Sequence, residues 1–160
     1  MKEKESPPPP VGGPANAAVQ TVDTRYLESI VGYNTRRASL VILGEFIEQM
    51  SVHDLRPVNF SVLSLILHNA GITSRQLCAT LGLRPPNLVG MINQLESREL
   101  IDRRPHPDDG RAVGLHLSAK GRDLMVEAEQ TAARLEADVT SKLTARENKT
   151  LIRLLKKIYL

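Results

Sequence analysis

Aromatic side chains are scarce in these 160 residues. There is no tryptophan, and three tyrosines and two phenylalanines make up 3% of the chain, so any core has to be aliphatic. A single cysteine, Cys78, excludes an intramolecular disulfide, and without a Cys-x-x-Cys pair or a Cys/His cluster nothing suggests structural zinc. No apolar run approaches the roughly 18 residues that a membrane-spanning helix needs. The N-terminus, Met1-Lys2-Glu3-Lys4-Glu5-Ser6 before four prolines, has no apolar stretch of the kind an export signal carries. A cytoplasmic protein without a membrane partner is expected. Catalytic signatures are missing as well: there is no glycine-rich phosphate loop, nucleophile elbow or HExxH, and the nearest His/Asp pair, His106 with Asp109, has no serine beside it. Neither an enzyme nor a cofactor is expected.

The residues that are present suit a globular domain, 41% hydrophobic and 24% charged. Twenty-one Lys and Arg against 18 acids leave a net charge of +3, a mild basic excess compatible with a polyanionic partner. The excess is unevenly spread. Residues 56–118 hold seven arginines and five acids, residues 119–160 nine basic and six acidic side chains, while residues 1–55 are net −2.

Residues 1–22, with Pro7–Pro10 and Val11-Gly12-Gly13-Pro14, cannot bury enough apolar surface to repay ordering, and a mobile arm is expected there. From Asp23 to about Met50, Leu27, Ile30, Leu40, Leu43, Ile47 and Met50 recur at helical steps, with Asp23 and Thr24 as candidate N-caps. One helix of that length would run about 40 Å, too long for a small domain to bury alone, which predicts a partner subunit. Segment 23–55 is therefore read as a dimerisation helix.

Pro57 suits the first turn of the next helix, and Phe60, Leu63, Leu65, Ile66 and Leu67 make that helix a buried one. Thr73-Ser74-Arg75-Gln76 then reads as a capping box, Leu77, Cys78 and Leu81 share a face, and Gly82 stops the helix. Arg84-Pro85-Pro86 opens another helix with Leu88, Ile92 and Leu95 inward and Asn87, Gly90, Asn93 and Gln94 outward. A short helix, a glycine turn and a second helix with a polar outer face make a helix-turn-helix. After Leu100 the period shortens to two. Ile101–Arg104 and Val113–Leu117 read as strands joined by a turn over Pro105–Arg111, a wing beside the helix pair. Ser118 caps a helix carrying Leu124, Ala128, Ala132, Leu135 and Val139, and Thr144–Glu147 is a second capping box before a last amphipathic helix. The fold class is mainly α with a two-stranded wing: a winged helix-turn-helix over 56–118, flanked by dimerisation helices at 23–55 and 119–160.

A helix in a DNA major groove needs short polar or planar side chains near its N-terminal end. Arg84, Pro86, Asn87 and Gly90 stand there, the first able to meet guanine and Asn87 adenine. Ser74 and Arg75 begin the preceding helix, where phosphates are favoured. Arg111, just past the Asp108-Asp109-Gly110 turn, is placed to enter a minor groove, and Asp109 to orient it. Double-stranded DNA is the expected partner; a winged helix serving only protein contacts or DNA architecture, without ligand response, is the alternative reading.

The run Leu77-Cys-Ala-Thr-Leu-Gly-Leu-Arg-Pro-Pro-Asn-Leu, then Leu95-Glu-Ser-Arg-Glu-Leu-Ile-Asp-Arg-Arg-Pro, Asp109-Gly-Arg111 and Leu115-His-Leu-Ser-Ala-Lys-Gly121 resembles the MarR family of bacterial transcriptional regulators. The resemblance covers roughly residues 24–160. It implies a homodimer interlocked by its first and last helices, two wings on a pseudo-palindrome in the nucleoid, and repression relieved by a small ligand, with Arg111 as minor-groove arginine and Asp109 its organiser. The sequence departs from the family at Glu99, where many members carry glycine, and at Val89, Gly90, Asn93 and Gln94, which stand in place of the Thr, Arg, Asp and Arg often found.

Ser29, Tyr33 and Arg36 or Arg37 are spaced to share a face of the first helix. A guanidinium there could hold a carboxylate bidentately, or could instead pair with Glu28, Glu45 or Glu48. Gly32-Tyr33-Asn34-x-Arg36-Arg37-Ala38 is similar to members that answer to aromatic carboxylates, which makes a small aromatic acid the expected effector. His68 is read as a core or pocket-wall histidine. Cys78, on an inner helix face, is read as an inert thiol rather than a redox sensor, and His53, His68, His106 and His116 lack the spacing of a metal site.

Overall fold

The computed structural model describes residues 22–106 and 109–160, with the backbone alone described for 106 and 109–111. The chain divides into two compact units between Arg36 and Arg37.

In the N-terminal unit, α1 (Arg25–Glu28) is a single turn, and α2 begins afresh at Val31. The expected unbroken helix from Asp23 is therefore interrupted at Ser29-Ile30. Side-chain donors bond the carbonyls around the break. Ser29 Oγ donates to Tyr26 O at 2.7 Å, and Asn34 Nδ2 donates to Glu28 O at 2.7 Å and Ile30 O at 2.9 Å. Thr24 stands at the N-cap of α1 without capping a backbone amide, because its hydroxyl bonds Glu28 instead. Asp23 and Arg25 pair at 2.8 Å. The Arg25 side chain, then its backbone N–H, holds the Asp23 carboxyl below its ordinary range. Helix α2 (Val31–Met50) has 20 residues and is about 30 Å long.

The second unit takes α2 onward from Arg37. A 3₁₀ turn, Ser51–His53, ends at Asp54 in the left-handed region, φ 49°. Pro57 then opens α3 (Pro57–His68) as expected, burying Val62, Leu63 and Ile66, with Phe60 half-buried and edge-on to Phe46 at 5.4 Å. Next come β1 (Ile72–Thr73), α4 (Ser74–Leu81), α5 (Pro85–Ser97), β2 (Ile101–His106), β3 (Asp109–Leu117), α6 (Ala119–Val139) and α7 (Ala145–Tyr159). The wing strands form an antiparallel sheet of order β1-β3-β2, in which Ile72 faces Leu115 and Ile101 faces Leu117. The third strand, β1, is two residues long and leaves no alternation to read. Both wing strands extend into the segment expected to be a turn. Pro105 faces Val113 within β2 and the register shifts between Pro105 and His106, which a proline tolerates because β2 lies at the sheet edge.

Leu77, Leu88, Leu95, Leu115 and Met125, almost fully buried, join α4, α5, the wing and α6 in one aliphatic core with α3. Gly121 lets α6 leave the sheet: a Cβ there would collide with the Leu100 carbonyl. Helix α7 buries none of its residues, and Leu151, Ile152, Leu154 and Ile158 lie exposed along it, as do Leu40, Leu43 and Ile47 along α2. Among the described residues no helix is long and apolar enough to cross a membrane.

Candidate functional site

The capping box that opens α4 is closed in both directions. The Gln76 N–H donates to Thr73 Oγ1 at 3.3 Å, and the Thr73 N–H donates to Gln76 Oε1 at 2.9 Å. At its far end Gly82 takes φ 63°, a left-handed stop that lets the Leu83 N–H reach Cys78 O at 3.1 Å. Two residues on, Arg84 is the extended N-cap of α5, and Pro85 and Pro86 fill the first turn, where missing N–H groups cost nothing. This turn chemistry sets α4 against α5 as a helix-turn-helix.

Burial of Leu88, Ile92 and Leu95 turns the other side of α5 outward. Arg84, Pro86, Asn87 and Gly90 are all exposed on it, with Val89, Asn93 and Gln94 beside them, and Ser74 and Arg75 are exposed in the first turn of α4. Asp109 and Arg111 belong to the backbone of β3, and their side chains lie outside the described residues. Cys78 is half-buried.

Two arginines, Arg103 and Arg98, hold α5 in place, and sequence reasoning gave neither of them a role. Arg103 reaches from β2 to Asn93 Oδ1 and lies 3.0 Å from the Glu96 carboxylate, bracing wing to helix. Both members of that ion pair are substantially exposed, so its contribution is orientation more than stability. Arg98, at the C-cap of α5, donates to Asp54 O at 2.8 Å and His53 O at 3.3 Å, tying the helix end to the turn that leaves α2. Arg104 pairs with Asp102 within β2 at 3.1 Å. The seven-residue step between Glu96 and Arg103 was a visible charge pairing, but only a known helix-to-strand corner makes it readable as a contact. Between α5 and the α2–α3 connection lies a cleft of about 480 Å³ lined by Asp54, Arg56, Asn59, Asn87, Gln94 and Arg98, among others.

Of the residues read as a ligand site, Ser29, Tyr33 and Arg36 belong to the N-terminal unit, and Arg37 and His68 to the second. Tyr33 is half-buried, and the other four are exposed. His68 is therefore not a core histidine. Its Nε2 lies 2.9 Å from Glu129 Oε1 on α6, the same oxygen to which Ser64 Oγ donates, because the C-terminal turn of α3 runs beside α6.

Residues 53–112, the helix pair and most of the wing, match the sequence model of the MarR family. The solved structure of the transcriptional repressor CouR bound to a 23-mer DNA duplex is similar with a TM-score of 0.81 and 32% identity, over 87% of this chain and 99% of that one. The chain belongs to the MarR family. A structure of CouR bound to p-coumaroyl-CoA is similar with a TM-score of 0.74 and 32% identity, over 82% of this chain and 93% of that one. Over 149 residues the chain is 28% identical to the putative transcriptional regulatory protein for the hcr operon of Thauera aromatica, 92% of this chain and 90% of that protein. As a MarR-family member the chain is a transcriptional regulator with a winged helix fold.

Proposed function

We propose that this regulator is a homodimeric repressor of catabolic genes, bound to a pseudo-palindromic DNA operator and released by a small aromatic acid. Segments 23–55 and 119–160 form the dimerisation region and 56–118 reads DNA, while the arm expected over 1–22 lies, but for its last residue, outside the described residues. The observation that carries the reading is the likeness, over 99% of its length, to CouR on a DNA duplex. The exposed outer face of α5 supports it, since short polar groups and a glycine there suit a major groove. Helix α7 supports the dimer: a 15-residue helix that buries nothing is marginal in water by itself, and its apolar stripe calls for a cover. A second copy of the chain offers the matching stripe.

In this reading Arg84, Pro86, Asn87 and Gly90 meet base edges, Ser74 and Arg75 phosphates, and Arg111, oriented by Asp109, the minor groove. Ser29, Tyr33, Arg36, Arg37 and His68 serve the effector. A second form of effector is favoured by the ligand of CouR, an aromatic acyl-CoA. Arginines that suit a carboxylate also suit the phosphates of coenzyme A. The test is a gel-shift titration of a duplex selected from a random pool. Arg111→Ala should lower affinity strongly without changing the dimer. Arg37→Ala should keep DNA binding but lose release by p-coumarate or p-coumaroyl-CoA, whichever of the two releases the wild type. Unchanged binding in the first variant removes the wing from the mechanism, and undiminished release in the second removes Arg37.

A further inference from the structure

The outer face of α5 carries a local conflict that the fold does not use. Val89 and Gly90, in the second turn, are adjacent and poor helix formers, and both point away from the core built by Leu88, Ile92 and Leu95. Val89 is 52% exposed, and a Cβ added at Gly90 would meet no heavy atom within 4 Å. A lone exposed valine is ordinary. An exposed valine next to a mid-helix glycine with no contact to accommodate is a departure from local preference of the kind that marks functional surfaces. The flank one and two turns further on is already committed, because Asn93 and Glu96 both bond Arg103. That leaves the two methyl groups of Val89 as the apolar feature of this stretch, beside a helix surface lowered by the missing side chain at Gly90.

Resting on the reading that α5 enters the major groove, we propose that the Val89–Gly90 step is a thymine reader. The γ-methyl groups of Val89 pack on the thymine 5-methyl group, the one apolar mark on a base edge in that groove, while Gly90 lets the helix backbone come close enough for the contact. The residue thus selects sequence by shape and apolar contact, with no hydrogen bond.

The experiment uses the full chain. Duplexes are selected from a random pool, and each thymine of the selected site is replaced in turn by deoxyuridine, which removes only the methyl group. For the wild type, one symmetry-related pair of thymines should show a loss of affinity of roughly three- to ten-fold, the size expected for a buried methyl group or two. The same replacement should leave the affinity of Val89→Ala unchanged, and Val89→Thr, which keeps one methyl group, should fall between. Val89 is exposed, so Val89→Thr is expected to melt close to the wild type and Val89→Ala, with the better helix former, at or slightly above it, and melting no lower than the wild type confirms that the loss is one of recognition. If every deoxyuridine position costs wild type and Val89→Ala the same, the thymine reader is overturned while DNA binding stands. If the wild-type pool enriches no sequence at all, the placement of α5 in the groove falls with it.

Discussion

Gly90 and Glu99 each sit on backbone that would favour the other's side chain. Gly90 occupies the interior of α5 with empty space where a Cβ would be, whereas Glu99 takes φ 60°, the left-handed region that glycine adopts freely. Gly90→Ala should stabilise the chain by about 0.5–1 kcal/mol, seen as a rise of a few degrees in Tm, yet weaken binding to a selected duplex. A stabilised variant with undiminished affinity would show that the notch serves nothing outside the chain. Glu99→Gly should stabilise by roughly 0.5 kcal/mol in chemical denaturation, since relief of left-handed strain exceeds the loss of an exposed pair with Lys120 at 3.2 Å. The Ser118 hydroxyl bond to the Glu99 carbonyl, at 2.6 Å, survives the change. A destabilised Glu99→Gly would mean that the Lys120 pair outweighs the backbone.

At the scale of elements, what could be read in advance were the borders that short-range chemistry writes. Pro57 and Pro85 as first helical residues, the Thr73–Gln76 and Thr144–Glu147 boxes, the Ser118 cap and Gly82 all stand where their residue types require. The break at Ser29-Ile30 was hidden because apolar spacing continues through it, and only the bonds of Asn34 back to Glu28 and Ile30 reveal the interruption. Strand β1 escaped because its two residues pair with Leu115 and Gly114, some 40 positions away. The outward face of α5 was legible from its buried residues, but its bracing by Arg98 and Arg103 was not, since both arginines act across element boundaries. One border also makes a pH prediction. The Thr144 hydroxyl, then its backbone N–H, donates to the Glu147 carboxylate and holds that group below its ordinary range. A lowered folded-state pKa contributes stability above the unfolded value and loses it as pH falls through the folded one. Glu147→Gln should therefore melt below the wild type at neutral pH, with the gap closing on acidification through the carboxylate range. A gap that persists in acid would assign the difference to something other than this charge. Thr144→Ala removes the cap itself and should cost about 1 kcal/mol, measured by thermal denaturation.

For the whole molecule, the apolar stripes of α2 and α7 lie exposed on one chain, and in the proposed dimer a second copy covers them. Removing residues 151–160 takes away Leu151, Ile152, Leu154 and Ile158 and should convert a sedimenting dimer into a monomer; a truncated chain that still sediments as a dimer would move the interface elsewhere. The charge distribution points the same way for DNA, since the segments assigned to reading and to the C-terminal helices are basic and residues 1–55 are not. Most direct of all is sedimentation of the full chain with a fluorescent duplex selected from a random pool, repeated across a salt series. Two chains should travel with each duplex, and the complex should fall apart steeply as salt rises, as counterion release at phosphate contacts demands. A single chain on the duplex, or a duplex that sediments free at every salt concentration, would contradict the dimeric DNA-binding regulator proposed here.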